Sequence, residues 1–313
     1  MLPTREDPRL QAVWQADRVW NGVATTRDGR AFVSFPSADG PGLQAAEISR
    51  DGTLIPYPDA AWNAMRARPD PDGAFVRVNA LRIGPDGRLW IIDAGAPGIG
   101  KPAVPGGARL LVYDLGSDRL ATTYNLAVGV GPRSYIDDIR FNGGHVYITD
   151  AGEPGLLVLR LSDGSIRRVL DSHPALTDQR TMRADGRDLL DEDGKPLRVH
   201  ADQLEVSPDG RWLYVQPSSG PLARVPTMLL DDPTTSPERL AAAVEPFYDS
   251  PTTGGTAIDA NGGRDVDRSR GMAVDPGNPA EPDARICRRP AGGALSGLDL
   301  SPPHRRRSGR QRP

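Results

Sequence analysis

The sequence of 313 residues is poor in the features that mark several protein classes. It has one cysteine, Cys287, so no disulfide can form within the chain. No apolar run approaches the ~20 residues that a membrane-spanning helix needs. The first residues also lack the apolar segment of a signal peptide. These absences predict either a cytoplasmic protein or one whose natural N-terminus is missing.

An excess of charge of one sign is also lacking. The chain has 38 basic and 41 acidic residues and a net charge of -3, which argues against a nucleic-acid partner. Lys101 and Lys195 are its only lysines, and the arginines are scattered, as expected from compositional bias. Aromatic residues make up only 5% of the chain, whereas 35 glycines and 31 prolines indicate a fold rich in turns.

The sequence does contain a degraded internal repeat. Residues 78–93 recur at 200–215, and shorter copies lie at 20–33 and 137–150. Apolar and polar residues alternate on either side of a turn, which is often an Asp-Gly pair. This pattern is typical of two strands joined by a tight hairpin, because glycine supplies the positive φ that such turns require.

The spacing of the repeats predicts the fold. The turn glycines are separated by 58, 56, 67 and 52 residues, and they are Gly29, Gly87, Gly143, Gly210 and Gly262. Repeats of this length fit four-stranded propeller blades with long loops. The sequence therefore predicts an all-β propeller.

The predicted organisation begins with a lead-in over residues 1–19. Four recognisable blades and the start of a fifth follow, at about 20–58, 78–125, 135–170, 200–230 and 254–262. Long connections at 95–109 and 172–199 interrupt the repeats, the second without a clear strand pattern. Such connections often cover the mouth of a propeller channel.

Residues 263–313 depart from this pattern. The segment is rich in arginine and proline and contains no Phe, Trp or Tyr. It predicts a disordered or out-of-frame tail, with the second strand of the fifth blade and the closing blades absent. An open propeller would expose strand edges, so the sequence also predicts poor solubility.

Four segments resemble the yellow/major royal jelly protein family. They are RLWIIDAG at 88–95, YITDAGEPGLLV at 147–158, AFVSFP at 31–36, and SPDGRWLY with the following PSS and RVPT between 207 and 227. The resemblance covers about residues 20–262. It implies a six-bladed β-propeller, here truncated, and a secreted or periplasmic location. Bacterial relatives of this type are described as L-dopachrome tautomerase-related proteins.

One register position recurs in each blade. Asn21, Asn79 and Asp202 each lie eight residues before a turn glycine, and the third blade contributes Asp137. Equivalent positions point to the same axis, so we expect a polar ligand site or a Ca²⁺ site, with Asn79, Asp137 and Asp202 as the metal ligands. The related gluconolactonase-type propellers imply a divalent metal in a comparable place. Alternatively, these side chains only cap strand entries.

Within this set, Asp202 is the first candidate for a general base, and His200 is a weaker one. Strand alternation predicts that only one of Asp137 and Asp138 faces the channel. Asp93 and Asp150 follow second strands and are predicted to be structural turn formers.

The functional alternatives stay open at this stage, including whether the protein is an enzyme. The first is action on small cyclic or aromatic metabolites, as in a dopachrome-type tautomerase. The second is metal-dependent lactone hydrolysis, and the third is non-catalytic binding of small aromatic amines. No phosphate loop, dinucleotide fingerprint or nucleophile elbow is present.

Overall fold

The computed structural model describes residues 14, 16, 18–35, 42–64, 71, 73–184, 187–191, 193–258, 264–268 and 271–275. Within these residues the chain is an all-β propeller of successive antiparallel sheets. Residues 276–313, most of the lead-in and Gly262 lie outside the described residues. No helix in the described part is long and apolar enough to cross a membrane.

The first two sheets each have four strands in chain order, and each forms one propeller blade. Their strands are β1 (Val23–Thr25), β2 (Ala31–Ser34), β3 (Ala45–Ile48), β4 (Leu54–Pro56), β5 (Val78–Ile83), β6 (Leu89–Ala94), β7 (Ala108–Asp114) and β8 (Arg119–Asn125). A short helix, α1 (Ala60–Asn63), follows β4, and Asp59 caps its first turn by accepting a hydrogen bond from the Trp62 amide.

The third and fourth blades have the same order. Their strands are β9 (Ile136–Asn142), β10 (His145–Asp150), β11 (Gly155–Arg160), β12 (Ile166–Val169), β15 (Ala201–Val206), β16 (Trp212–Pro217), β17 (Leu222–Pro226) and β18 (Glu245–Tyr248). Between these blades lies a small hairpin of β13 (Arg183–Ala184) and β14 (Arg187–Asp188), in a connection for which no strand was predicted. The fourth blade extends beyond the predicted end at residue 230, because α2 (Thr227–Asp231) and α3 (Pro237–Ala242) precede its last strand.

The fifth sheet has three strands, β19 (Gly255–Ile258), β20 (Arg264–Arg268) and β21 (Gly271–Asp275). The prediction of no second strand after residue 262 is wrong, because β20 pairs antiparallel with β19, and β21 pairs antiparallel with β20. Alternation in residues 264–268, with Val266 between Asp265 and Asp267, is compatible with a strand despite the lack of aromatic residues.

The hydrophobic core lies between successive blades. The innermost strands contact one another in the order β1, β5, β9, β15 and β19. Between the second and third blades, Trp90 stacks on Tyr124 with ring centroids 5.5 Å apart and meets Phe141 edge-on at 5.1 Å. Trp90 therefore takes part in the packing between these two blades. This packing holds the first strands side by side around a common channel.

Candidate functional site at the channel mouth

A cavity of about 800 Å³ opens at one end of the channel. Its lining contains the predicted residues of the innermost strands, namely Asn21, Asn79, Asp137 and Asp202, here called the channel ring. Residues from both long connections also line it, among them Gly98, Lys101, Leu190 and Leu197. The two connections therefore lie beside the channel ring.

The innermost strands place the channel ring by means of β-bulges. In β5 the extra residue is Asn79, and in β15 it is Asp202. In β9, Asp137 and Asp138 together face the single residue Thr149 of β10. A bulge turns the side chain of the extra residue away from normal strand alternation. The same irregularity in three blades therefore aims three polar side chains at the channel.

Hydroxyl groups of the second strands connect the bulges to neighbouring blades. The Ser34 hydroxyl donates to the carbonyl oxygen of Asn79 at 2.8 Å. In the same way the Thr149 hydroxyl donates to the carbonyl oxygen of Asp202 at 3.0 Å. These two hydroxyl groups, which do not belong to the channel ring, therefore help to hold the bulged backbone in position.

Each of the two asparagines in the channel ring donates hydrogen bonds to the next member of the ring. The Nδ2 of Asn21 donates to the backbone oxygen of Asn79 at 2.9 Å and to its Oδ1 at 3.2 Å. The Nδ2 of Asn79 donates likewise to the backbone oxygen of Asp137 at 3.1 Å and to its Oδ1. The asparagines therefore link successive blades, as the alternative structural role predicts, while they also line the cavity.

The pattern changes at Asp137, because a carboxyl replaces the amide that would donate to the fourth blade. The side chains of Asp137 and Asp202 form a hydrogen bond with each other, which requires a proton on one of them. Burial and the neighbouring charge of Asp202 raise the pKa of Asp137 well above its usual range. Burial also raises the pKa of Asp202, whereas the hydrogen bond from Asp137 lowers it. The two carboxyls therefore share one proton.

Two further side chains contact the carboxylate of Asp202. The Ser218 hydroxyl and the Gln203 Nε2, the latter at 2.5 Å, both donate to its Oδ2. Hydrogen bonds to a carboxylate favour its ionised form. Ser218 and Gln203 were not among the predicted site residues. The adjacency of Gln203 to Asp202 was the only signal for it in the sequence, and Ser218 had none.

A charged layer lies next to the channel ring. Asp138 is paired with the Arg82 guanidinium and, at 2.7 Å, with that of Arg140, which also binds Glu205 at 2.6 Å. Burial opposes ionisation of Asp138, but the two arginines outweigh it and lower its pKa to about 2. The repeat register would also have found the other members of this layer. Each lies three positions after a channel-ring residue in the sequence, and they are Arg82, Arg140 and Glu205.

The prediction that only one of Asp137 and Asp138 faces the channel is wrong. Both line the cavity, because the bulge in β9 interrupts the alternation on which the prediction depended. Asp93 accepts hydrogen bonds from the Val76 and Arg77 amides and is paired with Arg109 at 2.7 Å. It does not line the cavity, which agrees with the structural role predicted for it.

His200 lies outside the group that the structure brings together. It is not among the cavity-lining residues, and its Nδ1 accepts a hydrogen bond from the Asp178 amide at 3.1 Å. Burial lowers the pKa of its imidazole. Through this hydrogen bond, His200 contacts the connection between the third and fourth blades, to which Asp178 belongs.

The donor atoms of the channel ring are all oxygens or amide nitrogens. Among the described residues there is no group of three or more His, Cys, Asp or Glu side chains placed to hold a metal ion. The acidic members are the pair Asp137 and Asp202. Asn79 presents its Nδ2 to Asp137, whereas its Oδ1 accepts hydrogen bonds from Asn21 and from the Tyr135 hydroxyl. The two carboxylates are hard oxygen donors of the kind that Ca²⁺ binds.

A family model for the major royal jelly proteins matches residues 76–262, which is more than half of the chain. The chain belongs to the major royal jelly protein family. The match extends from just before the second blade to a few residues past β19. It therefore includes three of the four channel-ring residues.

Curated relatives within this family include the Protein yellow of several flies. The chain is 33% identical to that of Drosophila erecta over 119 residues, which are 35% of this chain and 21% of the fly protein. For Drosophila melanogaster the identity is 31%, with the same coverage. The matched region thus spans about a fifth of the length of these relatives.

Among solved structures, a gluconolactonase from Xanthomonas campestris superimposes with a TM-score of 0.52 at 15% sequence identity. The alignment covers 90% of this chain and 79% of the other. At this identity the likeness concerns the fold alone, and it supports the propeller architecture of this royal jelly family member.

Proposed function

We propose that the channel-mouth site acts on small cyclic or aromatic carbonyl compounds by proton transfer, in the manner of an L-dopachrome tautomerase-related protein. The observation that carries this proposal is the hydrogen-bonded pair of Asp137 and Asp202 beside the cavity. One carboxyl that holds its proton and one that is ionised provide an acid and a base at neighbouring positions.

In this mechanism the two carboxyls divide the work of a tautomerisation. The ionised Asp202 removes a proton next to the substrate carbonyl, and Asp137 donates its proton to the carbonyl oxygen. Ser218 and Gln203 hold Asp202 through hydrogen bonds to its Oδ2. Proton transfer by positioned side chains contributes roughly 10²–10⁴-fold to the rate, so either carboxyl should be indispensable.

Metal-dependent lactone hydrolysis is a second candidate, favoured by the oxygen donors of the same pair. Asp137, Asp202 and Asn79 would hold Ca²⁺, and the bound ion would polarise a lactone carbonyl. Two adjacent carboxylates repel each other, and the shared proton removes this repulsion by neutralising one of them. A bound cation would have the same effect.

Turnover assays on the purified chain test these proposals. The protein is offered L-dopachrome and, separately, gluconolactone, with and without a chelator. Tautomerisation that persists in chelator and falls at least ~100-fold in Asp202→Asn supports the first mechanism. Lactone hydrolysis that requires added Ca²⁺ supports the second.

Saturable binding of dopamine or serotonin without turnover of either substrate would instead indicate a binder of small aromatic amines. An Asp202→Asn protein with full activity on both substrates would contradict the assignment of this site.

A further inference from the structure

Two glutamines face each other across the strand pair β15 and β16. Gln203 and Gln216 are register partners in this sheet, and both side chains are buried. The two amide groups nevertheless have different environments. Comparing them shows which hydrogen-bond partners the protein provides for each amide group.

The amide of Gln216 is satisfied within the protein. Its Oε1 accepts a hydrogen bond from the Ser250 hydroxyl at 2.8 Å, and its Nε2 donates to the Thr253 hydroxyl at 2.8 Å. Gln216 does not line the cavity. Its role is structural, because it connects β16 to the segment that leads into β19.

The amide of Gln203 is satisfied on one side only. Its Nε2 donates to the Asp202 carboxylate at 2.5 Å and to the Thr253 carbonyl oxygen at 3.1 Å. Its Oε1 is buried and has no hydrogen-bond partner among the described residues. Turning the amide over would not help, because the oxygen would then face the Thr253 carbonyl and the Asp202 carboxylate, which only accept. The third neighbour, the Ser218 hydroxyl at 3.5 Å, already donates its hydrogen to Asp202.

An unpaired buried amide oxygen is unfavourable, and native proteins retain few of them. Gln203 is 5% exposed and lines the cavity beside Asp202, so a molecule in the cavity can supply the missing donor. A ligand hydroxyl suits this position, since its O–H can donate a hydrogen bond to the amide oxygen.

We propose that Gln203 is a specificity-determining residue that selects cyclic ligands carrying a hydroxyl group next to their reactive carbon. This inference rests on the proposed function, since it concerns the ligand of the same cavity. The amide thus has two tasks. Its nitrogen orients the base, and its oxygen recognises the substrate.

The test compares pairs of probes with and without free hydroxyl groups. Catechol is paired with veratrole, its dimethyl ether. Gluconolactone is paired with δ-valerolactone, which has the same six-membered lactone ring without the hydroxyl and hydroxymethyl groups. Dissociation constants are measured for the unaltered protein, for Gln203→Met and for the control Gln216→Met. Methionine keeps the approximate volume of glutamine without the amide.

We expect the unaltered protein to prefer the hydroxylated member of at least one pair by about tenfold. Gln203→Met should reduce this preference to less than about twofold, whereas Gln216→Met should keep it even if its melting temperature falls. A purely structural role of Gln203 would weaken both members of a pair equally.

The outcomes separate this inference from the proposed function. If the two members bind equally well in both pairs, or Gln203→Met keeps the preference, the role of Gln203 is refuted while the proposed function stands. If none of the four probes binds the unaltered protein, the proposed function fails and the inference fails with it.

Discussion

Asp137 and Asp202 lie on neighbouring innermost strands and share a hydrogen bond between two carboxyl groups. The preceding contacts around the channel use amides, which donate without any protonation. An asparagine at position 137 would continue that pattern. The carboxyl found there is unfavourable for folding and is the group from which an acid–base function can arise.

The first prediction concerns the stability of the acidic pair. Asp137→Asn should raise the melting temperature at about pH 8, because its amide can donate to Asp202 without a shared proton. The raised pKa of Asp137 means that the native state binds more protons than the unfolded state. Its favourable contribution is therefore present at low pH and is lost as the pH rises through the native-state pKa.

Thermal melts of both proteins between about pH 5 and pH 8 measure this effect. The gain in stability should be larger at the upper end of the range. A gain that does not change with pH would mean that Asp137 carries no additional proton in the native state.

The second prediction separates site residues from structural ones among the acidic side chains. Asp202→Asn should change the free energy of unfolding by less than about 1 kcal/mol, because asparagine can still accept from Ser218 and removes a repulsion. Asp93→Asn should cost about 3–5 kcal/mol, since it leaves Arg109 buried without its carboxylate. Chemical denaturation provides both values, and a large loss for Asp202→Asn would identify it as a structural strand cap.

The third prediction concerns the charged layer. Asp138→Asn should destabilise the fold by about 3–5 kcal/mol, because Arg82 and Arg140 lose the carboxylate between them. The native pKa of Asp138 is about 2, below that of an unfolded aspartate at about 3.9. Its contribution is therefore fully present above about pH 4 and is lost as the pH falls toward about 2.

Denaturant titrations at neutral and acidic pH measure this contribution. Glu245→Gln is the matched control, since its pair with Arg224 is exposed and should be worth less than about 1 kcal/mol. Equal losses in the two variants would show that the charged layer contributes no more than a surface pair.

The fourth prediction concerns the core between blades. Trp90→Ala should cost about 3–5 kcal/mol, because Trp90 fills the space between Tyr124 and Phe141. Leu120→Ala, at a side chain that is 43% exposed, should change stability by less than about 0.5 kcal/mol. Calorimetric melts of the two variants test the contrast, and a small effect of Trp90→Ala would place the main core elsewhere.

The sequence by itself was sufficient for the propeller architecture and for the polar residues that line the channel. Strand alternation and recurring Asp-Gly turns are local properties, so they indicated the blades. A count from the turns found Asn21, Asn79 and Asp202, and the corresponding position of the third blade gave Asp137. The fourth strand of the fourth blade was missed because two helices separate it from β17. The strands β20 and β21 were missed because their composition is unlike that of the other blades.

Only the tertiary structure decided what the polar residues do. The bulges depend on pairing with the second strands, so alternation within one strand could not place Asp137 and Asp138 together in the cavity. Tertiary contacts decided that the carboxyl of Asp137 forms a hydrogen bond with that of Asp202. They also decided that His200 accepts a hydrogen bond from the Asp178 amide. The tertiary structure also decided that Gln203, unlike Gln216, has an amide oxygen with no hydrogen-bond partner among the described residues. Hydrogen bonding and desolvation depend on which groups lie close together in space. The residues in these contacts are far apart in the chain, so the sequence alone could not show that they are neighbours.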